Sequence, residues 1–318
     1  MDYKYKVLVY YHKPEYIDKY KELIEKSRKD IALLMCKNDE EIDKYIGEAD
    51  IIFSGSTFPV NFLRKAKKLK WIQSMSAGVE NFTSSGLIES NIILTKIKGV
   101  FGPIMSEYVI GHIFAITQNI KNIYENKRNK IWKPFVVDSI RNATIGIMGL
   151  GSVGADIAYR LHLLGVNVIA IDEQEKRLPY IGQEYLIDDL YDFLVKPDFL
   201  IITLPLTNKT RNLIGENEFN IMKKNIYIFN ISRSGIVQTE ALIKALKSKK
   251  ISGAVLDVFD KEPLPKDHEL WTLDNATITP HISGPSLPED IVKVFLDNLV
   301  RFEKNKKLKG IVDLKKEY

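Results

Sequence analysis

The stretch Ile145-Gly146-Ile147-Met148-Gly149-Leu150-Gly151-Ser152-Val153-Gly154 decides the fold of this chain, together with Val166-Asn167-Val168-Ile169-Ala170-Ile171-Asp172 after a helical segment. It predicts a strand, a glycine turn, a helix, a second strand and an acid at the end of that strand. A dinucleotide site requires this order. Gly149 permits the tight turn, Gly151 lets the backbone approach a pyrophosphate, and Gly154 lets the helix pack closely on the sheet. The N–H groups that open the helix, at Ser152 and Val153, would face the phosphates.

Asp172 indicates which dinucleotide is bound. It lies 18 residues beyond Gly154, close to the spacing of roughly 20 residues at which a carboxylate meets the ribose hydroxyls of NAD. A carboxylate here would repel the 2′-phosphate of NADP, so we predict NAD as the cofactor, with NADP less favoured. Lys176 and Arg177 follow closely and would soften this preference. The alternative is an exposed acid that only ends a strand.

Length and composition fit a two-domain protein of ordinary globular type. The chain has 318 residues, of which 45% are hydrophobic and 27% are charged. Its 46 basic and 41 acidic residues give a formal net charge of +5 and are spread along the sequence. No basic stretch is interleaved with aromatic residues, so we expect no nucleic-acid partner.

The cysteine count and the lack of long apolar stretches exclude several classes of protein. Cys36 is the single cysteine, which excludes an intramolecular disulfide and a metal site of several cysteines, and we predict no metal. The residues after Met1 lack the core of a signal peptide, and no stretch approaches the ~20 apolar residues of a membrane span. We therefore expect a cytoplasmic protein with no membrane partner.

The hydrophobic pattern divides the chain into two α/β units. Four strands are predicted in the first hundred residues, at 6–11, 31–35, 51–54 and 71–73. A helix over 104–124 leads into the second unit, and another over 287–302 follows it. The tail 310–314 is expected to return to the first unit. The predicted domains are therefore 1–99 with 285–318, and 100–284.

Strands and helices alternate through the second unit, as in a parallel sheet covered on both faces. Beyond the two strands that flank the glycine turn, strands are predicted at 199–202, 226–229, 254–256 and 276–278. Ligands of such sheets bind beyond the carboxyl ends of the strands. Polar side chains placed just past those ends are therefore the candidates for chemistry.

Arg233, Glu262 and His281 each follow a predicted strand of this unit. A guanidinium can hold a carboxylate or a developing oxyanion by charge-assisted hydrogen bonds, and a protonated imidazole can deliver a proton. The reduction of a 2-oxo acid needs both groups. A carboxylate partner favours the charged imidazolium and orients its ring, and Glu262 is the candidate partner of His281. The structural alternatives are an ion pair at Arg233, a turn ended by Glu262 and a surface or core histidine at position 281.

Five motifs resemble, in their order, those of the D-isomer-specific 2-hydroxyacid dehydrogenase family, which includes phosphoglycerate dehydrogenases and glyoxylate/hydroxypyruvate reductases. They are Gly149–Gly154, Leu204-Pro205-Leu206-Thr207 with Thr210, Asn230-Ile231-Ser232-Arg233, 253–259 with Glu262-Pro263, and Thr279-Pro280-His281. The resemblance covers roughly 75–295. It implies a Rossmann-type doubly wound parallel sheet plus a second, discontinuous flavodoxin-like α/β substrate domain, and a homodimer.

The resemblance also implies roles for residues. Arg233 would bind the substrate, His281 would be the acid/base and Glu262 its partner. Beyond the glycine turn and Asp172, cofactor contacts are implied at Pro205, Ile231, Ser232, Asp257 and Gly284, with Asp257 on the nicotinamide side. The backbone N–H groups of Ala77, Gly78 and Val79 would receive the substrate carboxylate, since such a nest binds anions. The implied reaction is hydride transfer between NAD(H) and a small 2-oxo acid or D-2-hydroxy acid.

The chain departs from the family pattern at two positions. Ser234 stands where glycine usually follows the arginine, which could shift Arg233, and Gln238 stands where an acid is common. Because the family has corepressor relatives, the alternative function is an NAD(H)-sensing binding protein with little turnover. The intact set of Arg233, Glu262 and His281 favours the enzyme. Trp132 is expected to be a packing residue, with a contact with a second subunit near the predicted hinge as the alternative.

Overall fold

Two parallel β-sheets organise the chain, each in a unit of its own. The computed structural model describes residues 3–83 and 91–314. The first unit comprises 1–100 and 286–318, and the second comprises 101–285. The sequence-based boundaries lie one residue away from these. The predicted α/β class is confirmed.

The predicted strands are present in the expected order, together with two strands that were not predicted, Ile93–Thr95 and Gln183–Leu186. The strands are β1 Lys6–Tyr10, β2 Ala32–Cys36, β3 Ile51–Ser54, β4 Trp71–Ser74, β5 Ile93–Thr95, β6 Thr144–Met148, β7 Asn167–Asp172, β8 Gln183–Leu186, β9 Phe199–Ile202, β10 Tyr227–Asn230, β11 Gly253–Leu256 and β12 Ala276–Ile278. The α-helices are α1 Ile17–Ser27, α2 Asp39–Tyr45, α3 Glu80–Thr83, α4 Phe101–Thr117, α5 Ile120–Arg128, α6 Ser152–Leu163, α7 Leu190–Leu194, α8 Glu216–Ile221, α9 Thr239–Lys247 and α10 Pro288–Glu303. Among the short 3₁₀ helices are Val60–Lys65 and Ser234–Ile236.

The first unit has a five-stranded sheet of order β2-β1-β3-β4-β5, which is the flavodoxin-like order. Helix α10 returns to this unit and stacks Phe295 on Phe53, with ring centroids 4.4 Å apart. The tail returns as well, as predicted, since Lys96 N–H donates to the Gly310 carbonyl at 2.8 Å and Val312 N–H to the Leu94 carbonyl at 3.0 Å. This unit is therefore discontinuous in sequence.

The second unit has a seven-stranded parallel sheet of order β12-β11-β10-β9-β6-β7-β8. Successive residues of its strands face two different cores, because side chains alternate across a sheet. In β7, Val168 and Ala170 join one buried cluster, whereas Ile169 and Ile171 join the other. Both faces are thus covered, as in a Rossmann-type doubly wound sheet. The order reverses between β6 and β9, where such sheets bind ligands.

The predicted helix over 104–124 is wrong, because the structure divides it into α4 and α5. Asn119 separates them in the left-handed conformation, at φ +52°. Its N–H donates to the Ile116 carbonyl at 3.0 Å, which closes the end of α4. Asparagine is one of the few residues with a side chain that adopt this conformation readily. The apolar periodicity continues across the break and hides it.

Within the described part of the chain, no helix is long and apolar enough to cross a bilayer.

Candidate active site

The glycine turn between β6 and α6 has the tight geometry that its sequence predicts. Gly149 has φ +98°, and a Cβ built on it would lie 3.0 Å from the Leu204 nitrogen. A Cβ on Gly154 would lie 1.9 Å from the Gly149 carbonyl oxygen, so α6 approaches the turn as closely as glycine allows. By contrast, no atom lies within 4 Å of a Cβ built on Gly151. The first turn of α6 therefore faces open space, where a phosphate could approach its N–H groups.

Asp172 ends β7 beside this turn. Its Oδ2 accepts a hydrogen bond from the Leu150 N–H at 2.6 Å, and this bond joins the end of β7 to the glycine turn. Its Oδ1 lies 3.4 Å from the Lys176 ammonium. Arg177 instead faces Glu175 on the surface. Of the two basic residues singled out from the sequence, Lys176 is thus the one that contacts the carboxylate.

Two further loops at the same sheet edge are fixed by hydrogen bonds. The Thr210 hydroxyl donates to the Pro205 carbonyl at 2.6 Å and accepts from the Thr207 N–H at 2.8 Å, which sets the turn after β9. The Ser232 hydroxyl donates to the Leu204 carbonyl and joins the loops after β9 and β10. Ile231, the residue before it, is buried. Pro205 remains exposed at this edge.

Arg233 follows β10 in extended backbone and is half-buried. Its Nη1 donates to the Ser232 carbonyl at 2.8 Å. The buried Asn230 side chain donates to the Arg233 carbonyl at 3.0 Å, and its Oδ1 accepts from the Ser232 N–H at 3.3 Å. Ser234 then begins a 3₁₀ helix, a backbone that any residue adopts. The serine in place of glycine is therefore compatible with an ordered arginine loop.

Glu262 and His281 are brought together by the structure. The His281 Nδ1 lies 2.8 Å from Glu262 Oε2, and Glu262 Oε1 accepts a hydrogen bond from the Phe259 N–H at 3.0 Å. The second bond fixes the carboxylate within its own loop. Since Nδ1 is engaged, Nε2 is the ring nitrogen left for a ligand. Both side chains are partly exposed, by 54% for His281 and 37% for Glu262.

Asp257 follows β11 and is fully buried. Both carboxylate oxygens accept hydrogen bonds from the 279–283 segment, which contains His281. Gly284 follows this segment and lies close to α4, since a Cβ built on Gly284 would lie 3.1 Å from the Met105 sulfur. Thr279 and Tyr108, which join this network, were given no role from the sequence. Their 171-residue separation leaves no local signal that could have paired them.

The predicted anion loop, Ala77 to Val79, follows β4 in the first unit. Ser74 and Ser76 shape its start, since the Ser76 N–H donates to the Ser74 hydroxyl at 3.1 Å. Within the described residues, the N–H groups of Ala77, Gly78 and Val79 donate to no other residue. Ala77 is exposed and Gly78 half-buried. These donors are what an anion-binding nest presents.

Comparison with known proteins identifies the family. The model of the D-isomer specific 2-hydroxyacid dehydrogenase, NAD binding domain, matches residues 110–283. The chain belongs to the D-isomer specific 2-hydroxyacid dehydrogenase family. The predicted family is thus confirmed.

Individual relatives of this dehydrogenase family cover most of the chain. The D-3-phosphoglycerate dehydrogenase of Methanocaldococcus jannaschii is 35% identical over 261 residues, which make up 79% of this chain but 48% of that protein. The glyoxylate reductase of Thermofilum pendens is 33% identical over 257 residues, 78% of this chain and 76% of that protein. The chain thus spans about half the length of the Methanocaldococcus jannaschii protein.

A solved structure from the same family matches both units. The family protein of Aeromonas salmonicida has a TM-score of 0.91 at 30% identity, covering 98% of this chain and 99% of that one. The predicted two-domain dehydrogenase fold is therefore confirmed.

Among residues 3–83 and 91–314, no cluster of three or more His, Cys, Asp or Glu side chains could hold a metal ion.

Proposed function

We propose that this chain reduces small 2-oxo acids to D-2-hydroxy acids with NADH, and catalyses the reverse oxidation with NAD. The observation that carries the proposal is the His281–Glu262 contact at 2.8 Å, on the same sheet edge as the glycine turn. An imidazole paired to a carboxylate beside a dinucleotide site is an arrangement for moving a proton when a hydride moves.

The proposal assigns a role to each of these groups. The nicotinamide, when bound, supplies the hydride that the carbonyl carbon accepts. His281 holds the proton at Nε2 and gives it to the carbonyl oxygen, which becomes the hydroxyl. Glu262 keeps the Nδ1 proton in place and stabilises the imidazolium. Arg233 binds the substrate by charge-assisted hydrogen bonds, and the Ala77–Val79 amides receive its carboxylate.

The proposed cofactor is NAD rather than NADP. Asp172 supports this choice, because its carboxylate would meet the ribose hydroxyls and repel a 2′-phosphate. Lys176, 3.4 Å from the same carboxylate, weakens the repulsion. The further predicted cofactor contacts, at Ser152, Val153, Pro205, Ile231, Ser232 and Gly284, belong to this proposal. The predicted cofactor contact at Asp257 also belongs to this proposal, although the carboxylate oxygens of Asp257 already accept hydrogen bonds from the loop that follows β12.

NADH oxidation with a panel of 2-oxo acids tests the function. Glyoxylate, hydroxypyruvate, pyruvate and bulkier 2-oxo acids are compared at saturating cofactor, with His281→Gln and Arg233→Ala as inactive controls. We expect turnover of at least one small acid and its loss in both variants. Tight NADH binding without turnover on any acid would contradict the proposal and favour the NAD(H)-sensing alternative.

We also propose that the chain acts as a homodimer in the cytoplasm. Trp132 is 98% exposed rather than packed and Val136 is 93% exposed, and a second subunit would cover both apolar side chains. Light scattering of the purified protein should give the mass of two chains, and Trp132→Glu should shift it toward one. A monomeric wild-type protein would contradict the dimer, and cell fractionation tests the compartment.

A further inference from the structure

One buried carboxylate ties down the loop that carries His281. Asp257 Oδ1 accepts hydrogen bonds from the Thr279 hydroxyl at 2.5 Å and from the Ile282 N–H at 2.8 Å. Its Oδ2 accepts from the Ser283 N–H at 2.8 Å. These donors lie on both sides of His281 in the sequence. Asp257 therefore determines the path of the backbone through the proposed acid/base.

This backbone needs to be held. His281 has φ +54°, in the left-handed region that is unfavourable for a residue with a Cβ. A residue persists in such a conformation only where its surroundings impose it. Here the imposed geometry points the imidazole at Glu262, with which it forms the 2.8 Å contact. Loosening the loop would release His281 from that orientation.

Tyr108 on α4 completes the network from the other side. Its hydroxyl lies 2.6 Å from the Thr279 hydroxyl oxygen. Because Thr279 has one hydroxyl proton and gives it to Asp257, Tyr108 must be the donor in this contact. Burial raises the pKa of Tyr108 to about 12, so the phenol keeps the proton that it donates. The His112 ring lies against it, with centroids 4.3 Å apart.

We propose that Tyr108 and Thr279 are positioning residues for the reaction, which hold His281 in place through the hydrogen-bonded chain Tyr108–Thr279–Asp257. The inference rests on the proposed function, in which His281 delivers the proton. Neither residue is assigned a contact with substrate. Their effect is on the placement of the imidazole, and misplacing a reacting group by about 1 Å can slow catalysis on the order of 100-fold.

Kinetics of four variants test this placement. Thr279→Val removes the hydroxyl between the two partners, Thr279→Ser retains it, and Tyr108→Phe removes the outer donor. Tyr191→Phe is the matched control, since it removes a surface hydroxyl that donates to Glu218 at 2.8 Å. We expect kcat to fall roughly 10- to 100-fold in Thr279→Val and by a smaller factor in Tyr108→Phe. The KM for NADH should change less than about twofold, and Thr279→Ser should restore most of kcat.

A count of NADH sites separates positioning from a loss of folded enzyme. With kcat expressed per NADH site, counted by fluorescence titration, positioning still predicts the lower kcat of Thr279→Val. A loss that disappears when kcat is expressed per NADH site overturns the proposal. A Thr279→Val enzyme with wild-type kcat also overturns it.

Amide hydrogen exchange gives a readout that needs no turnover. In the ligand-free protein, the N–H groups of Ile282 and Ser283 should exchange about tenfold faster or more in Thr279→Val, and at the wild-type rate in Tyr191→Phe. Unchanged exchange in Thr279→Val overturns the inference even in an active enzyme. If the wild-type protein shows no turnover, the proposed function fails, whereas faster exchange still supports the anchoring network.

Discussion

Replacing Glu262 with glutamine should lower kcat because glutamine has one acceptor oxygen for two donors. Glu262 accepts from the Phe259 N–H at 3.0 Å and faces His281 Nδ1 at 2.8 Å. A hydrogen bond to a charged group contributes about 1.5–3 kcal/mol. The two side chains are 37% and 54% exposed, so solvent screening reduces this to about 1–2 kcal/mol. At 1.36 kcal/mol per factor of ten, kcat should fall roughly 5- to 30-fold.

A double-mutant cycle shows whether this loss acts through His281. The rate is followed by NADH absorbance at saturating NADH and 2-oxo acid. His281→Gln alone should cost roughly 10²- to 10⁴-fold. Glu262→Gln added to it should cost less than about twofold more, since the imidazole that Glu262 serves is already absent. Asp260→Asn, on the same loop, is the control and should keep wild-type rates. If the fold-losses in kcat of the two single variants multiply in the double variant, the reasoning is refuted.

Four further predictions concern the cofactor turn, Asp172 and the first unit. Gly154→Ala should lower stability by more than about 3 kcal/mol in thermal denaturation, because its Cβ would lie 1.9 Å from the Gly149 oxygen. Gly151→Ala should melt as the wild type does but bind NADH more weakly in fluorescence titration; normal binding would contradict an approach of the phosphates at this residue. Asp172→Asn keeps an acceptor for the Leu150 N–H and loses the charge, so the ratio of kcat/KM for NADH over NADPH should fall about tenfold or more, and an unchanged ratio would exclude Asp172 as the determinant. The fully buried Asn298 bonds the Gln73 side chain and the Lys309 backbone, so Asn298→Ala should destabilise the protein by about 3 kcal/mol; a melting temperature within a degree or so of wild type would contradict this.

The fold was predictable wherever the sequence pattern is local. Most of the predicted strands contain short runs of Ile, Leu and Val between polar segments. The glycine turn is equally local, since Gly149 is required by its own φ of +98° and Gly154 by the Gly149 carbonyl oxygen five residues before it. Strands β5 and β8 were not predicted. Each lies at the edge of its sheet, β5 has only three residues, and β8 has exposed residues at both ends.

The contacts that order the candidate site were less accessible to sequence reasoning. The Glu262–His281 pair could be proposed, but the two residues are 19 positions apart and no pattern in the sequence shows that their side chains meet. The hydrogen bond from Leu150 to Asp172 joins residues whose individual roles were predicted, although their contact was not. Tyr108 is one more residue in an apolar helix when read in the sequence. Its importance depends on which hydroxyl it meets in the folded unit.

Asp172 and Asp257 have the same structural task, although the sequence suggests different ligands for them. Each carboxylate lies at or just past the end of a strand and accepts backbone N–H groups from a neighbouring loop, Leu150 in one case and Ile282 and Ser283 in the other. Loops at the edge of a parallel sheet lack ladder partners, so an acid at a strand end can replace those partners. Rigid loops at the edge keep the glycine turn and the imidazole in fixed positions within one unit. An aspartate at such an edge therefore orders the loops of the site in addition to any contact that it makes with a ligand.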